Sequence, residues 1–352
     1  MDIIDQLPFW IKSDILRYYI CDLTPYDLVN LYAHPWLVEI LEQLSYKEWL
    51  RIYRNDHMII SAGADHNIAI TKDEQIVAWG NDLYGKCHDI STLDDSAKGT
   101  SYHSISSGAT HSLALTIDGQ IVAWGNDTYG QCSNIPDLPD SPEGIHYVAV
   151  SAGLFHNLAL NSDGQIVAWG KNDDGECSNI PVLPKGTCYL AVSAGLRSLA
   201  FRSDGQILSW GKNSDYPQLN NIQILPKGIR YVFVSSGMFH ILALRSDGKI
   251  LSWGSDNFGK CTNIPTLPDS PKGIHYLFVS AGGDHSLALR SDGQIVAWGN
   301  DGFGQCSQIP VLPKDTRYLA VSAGYFHSLA IRSDGQIVAW GKDECGQCSQ
   351  IP

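Results

Sequence analysis

The sequence predicts a mainly β protein, a seven-bladed β-propeller carrying a small N-terminal all-α module. Three observations lead there. A stretch written in its last copy as SAGYFHSLAIRSDGQIVAWG, Ser322 to Gly341, occurs seven times with small changes, and each copy ends in Trp-Gly. The tryptophans, Trp79, Trp124, Trp169, Trp210, Trp253, Trp298 and Trp340, stand 41 to 45 residues apart, a period that marks tandem supersecondary units. The first 54 residues share none of this pattern and read as helices, so the predicted division is 1–54 and 55–352.

In the N-terminal segment, helix start signals follow one another closely. Ser13 caps a predicted helix through Leu16 to Ile20, and Thr24-Pro25-Tyr26-Asp27 combines a cap, a proline at the first helical position and an acid. Pro35 opens a third helix, and Ser45-Tyr46-Lys47-Glu48 is a capping box for a fourth. Ile15, Leu16, Leu28, Leu31, Trp36 and Ile40 fall at helical spacing, which predicts one compact helical module.

In each repeat, Ser-Leu-Ala-Ile-Arg and Gln-Ile-Val-Ala-Trp are short runs of branched and aromatic residues joined by Ser-Asp-Gly, a hairpin signal. The glycine supplies the positive φ that the reversal needs. A run such as Tyr318-Leu-Ala-Val-Ser precedes the hairpin, and Gly-Gln-Cys-Ser-Gln-Ile-Pro follows it as a predicted short outer strand stopped by proline. Four strands per repeat give a small sheet with two apolar faces. Such a sheet must stack on its neighbours, and seven stacked radially close into a propeller.

Composition narrows the function. The net charge is −13, with no lysine- or arginine-rich run, so direct binding to nucleic acid is disfavoured. Met1 to Gln6 holds two aspartates and no basic residue, unlike a secretory leader, and no apolar run is long enough to span a membrane. Nine cysteines without a leader predict reduced thiols and an intracellular, cytoplasmic or nuclear location. There is no phosphate loop, zinc-protease helix or nucleophile elbow. The reading is a non-enzyme with no cofactor or metal, a monomeric propeller with protein partners.

Six copies carry histidine after Gly-x-x: His66, His111, His156, His240, His285 and His327. One histidine per blade cannot gather around one ion, so each is expected to be structural, bonding local backbone to lock its own turn. The tryptophans are expected to pack between blades, and the cysteines eight residues after them to fill the core. Cys345 and Cys348 form one Cys-x-x-Cys, but without the βαβ surroundings of a redox site. The fourth copy is irregular, lacking the histidine and replacing Gly-x-Cys by Tyr216-Pro217-Gln218-Leu219.

The pair after each Ser-Ala-Gly varies while the frame holds. Leu154, Phe155, Met238, Phe239, Tyr325 and Phe326 are candidate target-binding residues if the pairs lie in turns on one face. The alternative placement lines a central channel with them. The loops after Trp-Gly, such as Asn81-Asp82-Leu83-Tyr84 and Asn300-Asp301-Gly302-Phe303, are a second candidate surface.

The pattern Ser-Ala-Gly-x-x-His-Ser-Leu-Ala-Leu followed by Asp-Gly-x-Ile-x-x-Trp-Gly resembles the regulator of chromosome condensation repeat, over roughly residues 58 to 352. That resemblance implies a seven-bladed propeller. The Gly-Gln-Cys-Ser-x-Ile-Pro ending is similar to bacterial members, among them a secreted β-lactamase inhibitor protein; the Gly-Trp-Arg-His-Thr motif of the ultraviolet-sensing branch is absent. Leu7, Pro8, Ile15, Leu16, Asp27-Leu28, Trp36 and Trp49 resemble an F-box. An F-box implies docking on the adaptor subunit of a cullin-RING ubiquitin ligase, with Leu7, Pro8, Ile15, Leu16, Leu28 and Trp36 as the adaptor-binding residues. The leading expectation is therefore a substrate-recruiting ligase adaptor. Family resemblance also offers a guanine-nucleotide exchange factor for a small GTPase, although no blade is long enough to hold a large inserted wedge; a third reading is a stand-alone binding or inhibitor propeller.

Overall fold

A computed structural model of the chain describes residues 58–73, 75–88, 101–138, 144–211, 222–223, 225–268 and 273–352. The predicted helical module, residues 1–54, lies outside the described residues, as do Tyr216 to Leu219 of the irregular fourth repeat.

The described chain forms seven antiparallel sheets, one per repeat, in which three strands follow each other in sequence order. Blade 1 consists of an inner strand Ile59–Ala62, a middle strand His66–Ile70 and an outer strand Ile76–Gly80. The other inner strands are Tyr102–Ser107, Tyr147–Ala152, Tyr189–Ala194, Tyr231–Ser236, Tyr276–Ala281 and Tyr318–Ala323. Each inner strand neighbours the next, and that of blade 7 neighbours that of blade 1, so the ring is closed.

Middle strands are the core. His111–Thr116 and His156–Asn161 are buried along their whole length, because both faces are covered by neighbouring blades. Between blades 2 and 3, Leu113 and Leu115 of one pack with Tyr147, Val150, Ala159 and Trp169 of the next. Every tryptophan of the Trp-Gly set is about 95% buried. At the hairpin tips, Gly119, Gly164, Gly205, Gly248, Gly293 and Gly335 have φ between 71° and 84°, where glycine alone is unstrained.

Among the described residues the predicted fourth strand does not form. In each described Gly-x-Cys-Ser-x-Ile-Pro segment the chain makes a turn and then runs without strand pairing. The cause lies upstream. Asp127 accepts hydrogen bonds on one carboxylate oxygen from the Cys132 and Ser133 backbone N–H groups, at 2.7 and 3.0 Å. Asp82, Asn172, Asp256, Asp301 and Asp343 hold their own loops in the same way. Donors spent on a side chain are not available to a sheet ladder.

Four kinds of contact join the blades. The first serine of each Ser-Ala-Gly, or Ser-Ser-Gly in blades 2 and 5, accepts a backbone N–H from the next inner strand at all seven junctions; Ser151, for example, accepts from Ala194 at 2.9 Å, and Ser322 of blade 7 accepts from Ala62 of blade 1 at 2.9 Å. These serines satisfy an edge that would otherwise be bare. The glycines of that triplet form an inner ring, in which a Cβ on Gly153 would lie 2.8 Å from the Gly195 carbonyl oxygen. That close approach, not a special φ, excludes any side chain. Tryptophan indoles supply the third contact, the Trp169 Nε1–H donating to the Gln131 carbonyl of the preceding blade at 3.0 Å.

The fourth contact corrects the expected role of the histidines. They do not bond the backbone of their own turn. His66 Nε2 meets Ser112 at 2.8 Å, His111 meets Asn157 at 2.6 Å and His156 meets Ser198 at 3.0 Å, each partner lying in the next blade. His240, His285 and His327 reach Ser286, Ser328 and Asn67 in turn. Asn157 donates its amide to the Gln131 carbonyl, so its oxygen accepts from His111, which fixes the proton on Nε2. Burial holds these imidazoles neutral, lowering His111 and His285 to about 4 and His156, His240 and His327 to about 3; His66 is depressed by burial first and by Lys86 second.

The ring closes with these same devices. Gln347, near the C-terminus, offers its carbonyl to both Trp79 Nε1–H and Asn67 Nδ2–H of blade 1, and Ile351 packs on that blade. Among the described residues no strand is exchanged between the ends.

Candidate protein-binding face

Six adaptor-binding candidates, Leu7, Pro8, Ile15, Leu16, Leu28 and Trp36, fall outside the described residues. The other candidates can be placed.

In an antiparallel blade the turn between inner and middle strands lies at the same end as the loop that leaves the outer strand. His66 pairs with Gly80 across the sheet, and the Asn81 N–H donates to the Asp65 carbonyl at 2.9 Å. Both sets of variable positions therefore share one end of the propeller. The two residues of each pair divide between the two placements open from sequence. Leu154, Met238 and Tyr325 line the mouth of a narrow central channel, whose walls are mainly the glycines and alanines of the inner ring. Phe155, Phe239 and Phe326 point away from it and are half-buried against the loops. Phe155 packs on Tyr129 of blade 2 with ring centroids 5.6 Å apart, and Phe326 packs on Phe303 of blade 6 at the same distance.

Loop shape depends on one residue. Where Gly-Gln-Cys or Gly-Glu-Cys occurs, the side chain accepts the backbone N–H two residues earlier: Gln131 from Tyr129, Gln305 from Phe303, Gln347 from Cys345 and Glu176 from Asp174, at 2.8 to 2.9 Å. Where lysine stands there, in blades 1 and 5, it has no acceptor to offer. Lys86 and Lys260 turn inwards instead and pair with Asp65 and Asp284, both ammonium groups being buried. Their loops tighten into 3-10 turns at Leu83–Gly85 and Asn257–Gly259, and the aromatic residue takes a left-handed backbone, Tyr84 at φ 71° and Phe258 at φ 66°. That conformation costs about 1 kcal/mol for a residue with a side chain. Sequence reasoning missed this distinction, although Gln against Lys at one repeat position is visible in it.

The loop aspartates are ionised. Burial alone would raise Asp82, but the N–H groups of Cys87 and His88 outweigh it and lower the carboxyl; Asp256 behaves likewise with Cys261 and Thr262. Three of the repeat thiols are held protonated. Burial, aided by a neighbouring acid, pushes Cys177, Cys306 and Cys348 up to about 12, and all eight described cysteines are free. Cys345 accepts from Asn81 while Cys348 donates to the Lys342 carbonyl. Among the described residues no cluster of three His, Cys, Asp or Glu side chains could hold a metal, and no helix is long and apolar enough to cross a membrane.

Comparison with known proteins agrees with this architecture. The regulator of chromosome condensation (RCC1) repeat matches residues 59–86, 102–131, 147–176, 231–260, 278–305 and 319–347, leaving the irregular fourth blade unmatched. No curated protein sequence matches the chain. Among solved structures, human WBSCR16 superposes with a TM-score of 0.63 at 20% identity, covering 79% of this chain and 87% of that one. Prp20p from Saccharomyces cerevisiae, described with its binding properties to Gsp1p and histones, gives 0.57 at 21% identity over 69% of this chain and 72% of its own. The CRINKLY ectodomain of the Arabidopsis thaliana receptor kinase ACR4 gives 0.57 at 20% identity, over 84% and 97%. At such identities the likeness is one of fold. Six matched repeats on a closed ring of seven blades place this chain in the regulator of chromosome condensation repeat family.

Proposed function

We propose that the chain is a non-catalytic recruiter: the propeller holds a target protein on the end that carries the variable turns and loops, and residues 1–54 dock on the adaptor of a cullin-RING ubiquitin ligase. The observation that carries the first half is convergence. Two sets of positions that vary between otherwise similar repeats meet at one end of the blades, where Leu83, Tyr84, Tyr129, Phe258 and Phe303 are exposed. Exposed aromatic side chains on rigidly held loops are the usual anchors of protein recognition. Protein as the class of partner is supported by the neighbours, since yeast RCC1 (Prp20) is seen bound to Kap60. The second half rests on the F-box-like pattern Leu7-Pro8, Ile15-Leu16, Leu28 and Trp36.

The test is capture from eukaryotic cell extract by three full-length baits, each checked for folding by circular dichroism. The native chain is expected to retain the ligase adaptor, cullin and a target. Leu7→Ala with Pro8→Ala is expected to lose adaptor and cullin but keep the target; Leu154→Glu with Met238→Glu is expected to do the reverse. Adaptor and cullin missing from every bait would refute the ligase role, and a target kept by the Leu154/Met238 variant would refute the binding face.

A further inference from the structure

On this end of the propeller some aromatic side chains already hold a cation and others are open to one. Lys171 places its ammonium 5.5 Å from the Tyr129 ring centroid and 5.8 Å from that of Phe155. Lys342 repeats the arrangement over Phe303 and Phe326, at 5.3 and 5.8 Å. A cation within about 6 Å of an aromatic face is attracted by the ring quadrupole. Tyr84 and Phe258 occupy, in blades 1 and 5, the loop position that Tyr129 and Phe303 occupy in blades 2 and 6. Among the described residues no lysine or arginine lies over either ring. The lysine of each loop is committed below it, Lys86 to Asp65 at 2.6 Å and Lys260 to Asp284.

Two further features point outwards. Tyr84 and Phe258 are 51% and 58% exposed, and both are presented on left-handed backbone, a strained conformation that concentrates at functional positions. The surroundings are also acidic. Each ring has an ionised aspartate two residues before it, Asp82 or Asp256, and all four lysines of the described loops are already ion-paired within the chain. With a net charge of −13 the chain attracts cations at long range, and these two rings offer them a place to stop.

We propose that Tyr84 and Phe258 are two seats for arginine or lysine side chains of the target, which therefore presents a basic segment to this end of the propeller. This rests on the reading that the target binds here. Each ring offers a face for the flat or tetrahedral cation, while the aspartate two residues before it, bonded within its own loop (Asp82 to Cys87 and His88, Asp256 to Cys261 and Thr262), adds longer-range attraction.

The test uses the full chain and fluorescein-labelled octa-arginine, with octa-glutamate as the opposite probe, followed by anisotropy at physiological salt. The arginine probe is expected to bind and the glutamate probe not to. Tyr84→Leu with Phe258→Leu keeps apolar bulk but removes both rings, and is expected to weaken the arginine probe about tenfold. Tyr84→Phe with Phe258→Tyr keeps the rings and is expected to bind as the native chain does. Val182→Ala with Val311→Ala, at side chains 91% exposed and outside these loops, is expected to change nothing. Unchanged affinity in the leucine variant would overturn the seats, because the attraction would then be diffuse. Absent arginine binding, or tighter glutamate binding, would overturn them too. Capture from extract separates the two proposals. If Leu154→Glu with Met238→Glu strips the target while the leucine variant leaves the probe unaffected, the face stands and the seats fall; if the Leu154→Glu, Met238→Glu chain keeps the target, the face itself falls.

Discussion

His111 has a neutral ring, a partner in another blade and no exposed surface. Replacing it with alanine strands the Asn157 oxygen and leaves a void at the junction. His111→Ala is expected to cost about 3 kcal/mol, read as a lower urea midpoint with an unchanged m-value. Asn157→Ala strands the histidine instead, and the two changes together are expected to cost less than their sum, since they break one shared bond. The signal for this bond was present in the sequence. Five histidines are followed one repeat later by serine or asparagine, and the sixth, His327, finds Asn67 by going round to the start. The one copy without histidine has Arg197 in its place, and the next copy has Ile241 where the others have serine or asparagine. Read within a single repeat, the histidine suggested only a local lock. Its partner is invisible until repeats are compared with a shift of one.

The loops teach a similar lesson at the level of the element. Strands and hairpins were legible because alternation and Asp-Gly turns are local signals. The outer segment misled because its apolar residues and terminal proline resemble an edge strand, while the deciding bonds come from an acid five and six residues upstream. Asp127→Ala is expected to release the Cys132 and Ser133 amides, seen as faster hydrogen exchange at both, with about 1 kcal/mol lost. Glutamine at position 86 would restore the acceptor that the other loops use. Lys86→Gln is therefore expected to return Tyr84 to negative φ, observable in a crystal structure, and to weaken the arginine probe by moving the ring. The convergence of turns and loops on one end was only half legible. Sequence identified which positions vary, but whether each pair faced the channel or the loops depended on the alternation of one turn.

For the whole molecule, acid is the sensitive variable. Unfolded histidine takes up a proton near pH 6.5, whereas His111, His156, His240, His285 and His327 do so only at about 3 to 4 when folded. Folded pKa values below the unfolded value mean that stability is complete above about pH 6.5, declines as pH falls below it and reaches its floor near the folded values. The slope is about 1.4 kcal/mol per pH unit for each histidine protonated on unfolding. Urea midpoints at pH 5.5 are thus expected well below those at pH 7.5, and equal midpoints would contradict the buried ring of imidazoles. Removing residues 342–352 should matter more than eleven terminal residues normally do. Gln347 serves two donors of blade 1, so the truncated chain is expected to lose cooperativity there and expose Trp79 to quenching by acrylamide.

The serine, glycine and tryptophan contacts that join blade 7 to blade 1 are those that join most other neighbours. A frame built this way does not record where the polypeptide starts. Cutting the gene inside one surface connection and splicing the old ends should give the same ring with displaced termini. By the same reasoning, unequal recombination between copies can exchange one blade for another without disturbing its neighbours, and each exchange deals a new hand of loops to the recognition end. Variation of the loops is thereby uncoupled from the risk of not folding, which would suit the proposed recruiter if its targets changed faster than its architecture.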